Sequence, residues 1–219
     1  MSLTFEEFVH EVTSKKGKVI GKPVAWKNVN LSMKGEGTEF IFGENVKMDG
    51  VNITDYGGGN HIYVGNKAKL NGMIKIGKGC LLKIGDSFTS TAGLKLHLSE
   101  GKSMVIGNNC MFGIDITIYN HDYHPIFDKK TGMRINYSRD VIIGDNVWLA
   151  NKVTVLKGVS IGSGSVVGIG SVVSTNITDN SIAVGVPAKV VKTDIVWDRS
   201  SFNTTHLDGI SNMVMVPTY

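Results

Sequence analysis

Apolar residues recur along much of this chain with a stride of six. From Val64 the stride meets Leu70, Ile76, Leu82, Phe88 and Leu94, breaks at Glu100, and resumes in phase at Ile106, Phe112 and Ile118. A second run passes through Ile143, Leu149, Val155, Ile161, Val167 and Val173. An amphipathic helix repeats every ~3.6 residues and a half-buried strand every ~2, so neither produces this stride. A solenoid does. Each six residues form a short strand and a corner, three such units close a triangular coil, and the recurring side chain points into the prism. Glycine follows the aliphatic residue at Ile76, Ile106, Ile143 and Ile161, with Asn108 and Asp145 close behind the second and third. Those residues tolerate the left-handed backbone of a tight corner.

The ends leave the period. Thr4 followed by Glu7 spells a capping box, and Phe5, Phe8, Val9 and Val12 line one face of a short helix. A solenoid exposes its terminal coil, so a helix within residues 1–17 is expected to cap it. The coils are expected over residues 18–192. Residues 193–219 show no clear period and are expected to form an extension, along the prism or toward a neighbouring subunit.

Composition narrows the class. With 219 residues, 42% hydrophobic and 19% charged, the chain suits one domain with a substantial core. Its 27 Gly against 4 Pro fit many regularly spaced turns. The net charge of +4 comes without a dense basic block, which excludes nucleic acid as the main partner but suits a small anionic ligand. No run of about 18 apolar residues occurs, and Glu6 and Glu7 precede any apolar stretch, so neither a membrane span nor a signal peptide is expected. A cytoplasmic location is the expectation. Cys80 and Cys110 stand isolated in apolar-patterned stretches, as reduced core thiols do.

The chemistry is expected where the stride fails. Between Ile118 and Ile143 about nineteen residues must leave the prism as a loop, placed over residues 119–140, YNHDYHPIFDKKTGMRINYSRD. It holds His121 and His124, with Asp122 and Asp128 nearby and Pro125 stiffening the backbone. Imidazoles titrate near neutral pH, and two of them in a loop on a regular scaffold point to acid–base work. Arg134 and Arg139 are candidates to hold a carboxylate, as an acidic sugar requires. His97 and Glu100 lie where the upstream stride falters, beside the same cleft.

The stretch VIIGDNVWLANKVTVLKGVSIGSGSVVGIGSVV at 141–173, followed by AVGVPAKVVK at 183–192, resembles the hexapeptide-repeat acyltransferases. The resemblance is good over residues 60–192 and looser over 18–60. It implies a left-handed parallel β-helix, a hand opposite to the usual right-handed crossover. HPIFDKKTGMRIN followed by NVW is similar to the pattern of sialic acid and polysaccharide O-acetyltransferases, and more distantly of galactoside and maltose acetyltransferases. In those enzymes the loop histidine stands a fixed distance before the tryptophan of the next coil. Counted back from Trp148, the matching residue is His124. Its implied role is general base, taking the proton of an acceptor hydroxyl as it attacks an acetyl thioester. His121 is the alternative base, or orients the acceptor.

The resemblance further implies acetyl-CoA in a groove between two prisms of a homotrimer. Trp148 would join the catalytic groups as a flat wall beside the thioester or the acceptor, with packing between subunits as its other reading. Ala150 and Gly168 would let the pantetheine arm approach, and Lys189 and Lys192 would meet the phosphates. Relatives often carry Val-Thr-Lys after the last coil where this chain has Val173-Ser174-Thr175, which removes one such cation. The leading reading is an acetyl-CoA-dependent O-acetyltransferase acting, without a metal, on a sugar of a surface polysaccharide or on sialic acid. An amine acceptor lies within the same class. The competing readings are a zinc hydratase resembling the γ-class carbonic anhydrases, with His97, His121 and His124 as ligands, and a scaffold subunit without chemistry.

Overall fold

The computed structural model describes residues 2–199, so most of the C-terminal extension, residues 200–219, lies outside the described residues. Thr4 caps the helix Phe5–Ser14, accepting the Glu7 N–H at 3.1 Å while its own N–H donates to the Glu7 carboxylate at 2.7 Å. Two otherwise unpaired N–H groups are thereby satisfied. The helix buries Phe8 and Val12, and the Phe8 ring sits 4.9 Å from both Trp26 and Phe40. Its aromatic face plugs the open end of the first coil. Among the described residues no helix is long and apolar enough to cross a membrane.

Among the described residues all remaining regular structure is strand, wound around three faces. The first face stacks Lys18–Ile20, Glu39–Phe42, His61–Val64, Leu81–Ile84, Ser103–Ile106, Val141–Ile143 and Ser160–Ile161 in parallel. The second runs from Ala25–Lys27 through Thr89–Ala92, Met111–Ile114, Trp148–Leu149 and Val166–Val167 to Ile182–Gly185. The antiparallel strand Ala188–Lys192 closes it. The third includes Asn30–Met33, Leu94–Leu98, Thr117–Tyr119, Thr154–Val155 and Val172–Val173. Two long strands, Lys47–Asp55 and Lys69–Ile76, bend from the second face onto the third. Gly72 makes the second bend: its φ is +143°, and a Cβ there would lie 2.1 Å from the Leu94 carbonyl oxygen.

Every apolar member of the two six-residue runs is buried, which puts the repeat inside the prism as expected. The stacking is less regular than the stride. On the first face Phe42, Val64, Ile84, Ile106, Ile143 and Ile161 lie one above another, at separations of 22, 20, 22, 37 and 18 residues. Three units of six therefore make a coil only from Val141 onward. Upstream, strands of four residues turn two side chains inward, as Ile62 and Val64 do, and the six-residue stride hops between these columns. The value of 37 marks the coil from which the loop leaves.

One corner explains the glycine-then-Asn/Asp signal. The side chains of Asn66, Asp86, Asn108, Asp145, Ser163 and Asp179 each accept a backbone N–H from the corresponding corner of the preceding coil, at 2.6 to 3.0 Å. The next residue, at Asn45, Lys67, Ser87, Asn109 and Asn146, takes positive φ. This ladder supplies the corner with hydrogen bonds where the strands cannot. Cys80 and Cys110 are buried free thiols, and burial pushes the Cys110 thiol up to about 12.

Candidate active site

The loop leaves the third face after Tyr119 and rejoins the first at Val141. The Arg139 N–H donates to the Asn120 carbonyl at 3.0 Å, which closes its neck. Buried Asn120 exchanges hydrogen bonds with the Ser99 backbone, and the neighbouring Glu100 accepts the Ser138 N–H at 2.8 Å and pairs with Arg134. Hydrogen bonding from Ser138, then Arg134, holds the Glu100 carboxyl down to about 2 against burial. Further out, Phe127 bridges Arg134 in a small hairpin whose turn is held by Asp128, accepting from the Lys130 and Thr131 N–H groups. Arg134 is thus occupied by Glu100, Asn136 and the Tyr137 ring, contrary to its expected role as a free carboxylate clamp.

His97 faces out of the prism, yet it is 5% exposed. Its register partner Tyr119 stacks on it at 4.6 Å between ring centroids, and the Tyr123 hydroxyl meets its Nδ1 at 2.5 Å. Burial, with Lys75 second, pulls His97 down to about 4, so it is neutral at physiological pH. The ring of His121 packs edge-on against Tyr123, and its Nδ1 accepts the Tyr123 N–H at 3.0 Å. In the neutral ring the remaining proton therefore sits on Nε2, which makes His121 a donor there. Burial lowers its pKa, opposed by Glu100 and Asp122. Tyr56, Lys75, Ser99, His121 and Tyr123 line a cleft of about 400 Å³ on this face.

His124 stands exposed beside the cluster, and its backbone is fixed from both sides. Its N–H donates to the Asp122 carbonyl at 2.7 Å across Tyr123, whose φ is +62°. Its carbonyl accepts from the Asn136 amide at 2.8 Å. Asn136, 7% exposed, also accepts the Ile126 N–H at 2.7 Å and donates to Asp122 at 3.0 Å, while Asp122 pairs with Lys157. Asn136, Tyr123 and Lys157 have no assigned role in the sequence reading. Asn136 lies within the HPIFDKKTGMRIN motif, and that position is the one sequence signal that could have found it.

The other candidates fall elsewhere. Trp148 lies on the second face, with Leu149 turned inward beside it and the Trp197 ring 5.9 Å away. Ala150 and Gly168 stand one above the other at the end of the same strands, where a Cβ on Gly168 would lie 2.6 Å from the Val184 side chain. Lys189 and Lys192 are exposed on the strand that closes this sheet. One chain therefore groups Trp148, Ala150, Gly168, Lys189 and Lys192 on the second face and carries His121 and His124 at the far edge of the third.

The chain belongs to the hexapeptide-repeat acetyltransferases. A "Putative lipopolysaccharide biosynthesis O-acetyl transferase" of Escherichia coli (strain K12) is 34% identical over 51% of this chain and 71% of its own. A polysialic acid O-acetyltransferase of Neisseria meningitidis is 41% identical over 130 residues, 59% of this chain and 60% of that protein. The chain spans about half the length of the curated polysialic acid O-acetyltransferases it matches. The crystal structure of a polySia-specific acetyltransferase overlays on 89% of this chain and 90% of its own with a TM-score of 0.74 at 28% identity. That likeness sets the prism among the left-handed parallel β-helices, as the sequence pattern implied. No family model matches the chain.

Proposed function

We propose that this protein transfers the acetyl group of acetyl-CoA to a sugar hydroxyl, in a surface polysaccharide or in sialic acid, with His124 as general base. The observation that carries the reading is the likeness to a polySia-specific acetyltransferase over 89% of this chain. His124 is preferred to His121 because the Nδ1 of His121 is already taken by the Tyr123 N–H, leaving a donor at Nε2. That donor, at the rim of the cleft, suits orientation of the acceptor. As the acceptor oxygen bonds to the thioester carbon, the imidazole of His124 accepts its proton. The tetrahedral oxyanion then collapses, the carbon–sulfur bond breaks, and the CoA thiolate leaves and is reprotonated from the imidazolium.

The small residues Ala150 and Gly168 suit the pantetheine arm, Trp148 its acyl end, and Lys189 and Lys192 its phosphates. Since these groups and the histidine loop occupy different faces of the prism, a working site combines the second face of one copy with the loop of another, which supports a homotrimer. Ile126, Phe127 and Ile135, 53%, 58% and 64% exposed on the loop, give such a contact its apolar surface. Acetyl-CoA is an intracellular metabolite, so the donor assigns the reaction to the cytoplasm. The hydratase reading has no observation in its favour. Among the described residues no group of three or more His, Cys, Asp or Glu converges as metal ligands, and His97 is enclosed by Tyr119 and Tyr123.

The test is calorimetric titration with acetyl-CoA followed by a thiol-release assay with sugar acceptors. His124→Ala should lose ~10²–10⁴-fold in turnover with acetyl-CoA affinity nearly intact. Retained turnover in that variant, with loss in His121→Ala, would move the base to His121. Absence of acetyl-CoA binding in the wild type would refute the reading.

A further inference from the structure

After Lys192 the described residues 193–199 stay on the prism. The chain turns back and climbs the edge of the second face, along the corner where the Asn/Asp ladder stands. The Ile195 N–H donates to the Asn180 carbonyl at 3.0 Å, and the Trp197 indole N–H to the Asn146 carbonyl at 2.7 Å, two coils nearer the helix. Arg199 reaches two coils further. Its Nε donates to the Asn109 side chain at 2.9 Å and its Nη1 to the Thr89 hydroxyl at 2.9 Å. Its Nη2 meets the carbonyls of Ser87, Asn109 and Cys110 at 3.2, 2.9 and 2.7 Å.

This pattern is a built anchor. All five acceptors are neutral, and three are main-chain carbonyls that the fold already fixes. A planar guanidinium can satisfy such a set at once, whereas an ammonium on a flexible stem cannot. An exposed tail held by chance contacts would not enclose a guanidinium this way. The strap follows the start of the strands Met111–Ile114, Trp148–Leu149 and Val166–Val167, while Ala150 and Gly168 follow their ends. Trp148 therefore projects between a rim made by residues 193–199 and an opposite edge of small residues. Trp197 leans on it with a 43° angle between the rings.

We propose that residues 193–199 form a fixed wall of the donor groove, in which Trp197 orients Trp148 against the acyl-CoA thioester and Arg199, as a positioning residue, pins the strap. This rests on the acetyl-CoA reading above. Trp197 limits how far the Trp148 ring can turn, so the groove is shaped before the donor arrives, which lowers the ordering cost of binding. The acceptor cleft, on the third face, is untouched by the strap.

The experiment is equilibrium binding of acetyl-CoA by calorimetry, with steady-state kinetics on the full chain. Arg199→Ala and Trp197→Ala should each weaken acetyl-CoA binding about tenfold and raise its KM correspondingly, with the acceptor KM unchanged and the melting temperature of the prism close to wild type. Trp197→Phe, which keeps a ring against Trp148, should recover most of the affinity. Arg199→Lys, which cannot serve the same acceptors, should not. Wild-type affinity in both alanine variants would overturn the strap proposal and leave the acetyltransferase reading standing. Equal loss in donor and acceptor KM would overturn it too, because it would reveal general damage. If the wild type binds no acetyl-CoA, both readings fall together.

Discussion

Asn136→Ala tests whether the loop acts by holding His124 still. Besides the long 3.3 Å contact from Arg134, which keeps its Glu100 partner, the substitution removes the hydrogen bond from Ile126 N–H at 2.7 Å, the one to the His124 carbonyl at 2.8 Å and the one to Asp122 at 3.0 Å. Two neutral bonds at ~0.5–1.5 kcal/mol each and one to a carboxylate at ~1.5–3 kcal/mol give a gross loss of ~2.5–6 kcal/mol. Asp122 keeps Lys157 and is partly open to water, so a net loss of ~2–3 kcal/mol is the working value. All of these partners lie in the loop, so the loss should appear as local opening rather than as unfolding of the prism. A general base released from its productive position by ~1 Å costs ~10²-fold in rate. The expected result is a turnover lowered ~30–100-fold, little change in acetyl-CoA affinity, and faster amide exchange over residues 122–136. Asn136→Asp should fare no better, since it replaces the donor by a second carboxylate facing Asp122 and the His124 carbonyl. Turnover within about threefold of wild type while the loop exchanges freely would refute the idea that its order matters.

Two further predictions concern pH. His97 titrates near 4 when folded against 6.5 when free, so between those values the unfolded chain binds a proton that the folded one does not. Thermal stability should therefore fall as pH is lowered from 6.5 toward 4, and His97→Phe should flatten that slope; an unchanged slope in the variant would exclude His97 as its source. Glu100 is also displaced downward, to about 2 from 4.5, which for a carboxyl favours the charged form, so its hold on the loop is complete above pH 4.5 and is lost as pH falls toward 2. Amide exchange of Ser138 and its neighbours should quicken across that interval in the wild type and be fast and nearly pH-independent, after correction for intrinsic rates, in Glu100→Gln.

Much of the prism was legible because its cause is local. A corner needs glycine and an amide or carboxylate within a few residues, and an inward column needs an aliphatic residue at each strand. The coil length was less legible: upstream, both Ile62 and Val64 point inward, so a stride of six survives although the coils hold 20 or 22 residues. The loop was visible as a gap and through its histidines. Its organisation was not, because the contacts that create it join residues remote in sequence. Tyr123 meets His97 across 26 residues, and Lys157 meets Asp122 across 35. The strap is the extreme instance, with Arg199 bonding to Ser87 across 112 residues. No periodicity connects such pairs; only the winding of the coils brings them together.

The loop also resolves a tension between mobility and positioning. Catalytic groups on loops gain reach at the cost of order, and here the backbone at Tyr123 has positive φ, which for a bulky residue stores ~1–3 kcal/mol of strain. An isolated loop would relax it. This one is tied at three points, two on the coil before its own, by Tyr123 to His97 and by Arg134 and Ser138 to Glu100, and one on the coil after it, by Asp122 to Lys157. Each tie ends on a strand or corner whose own position is fixed by parallel neighbours above and below. The stiffness of the solenoid is thereby transmitted to His124 through side chains rather than through the chain itself. It follows that substitutions at the three anchors should disturb proton transfer more than donor binding, the reverse of what the strap on the second face should do.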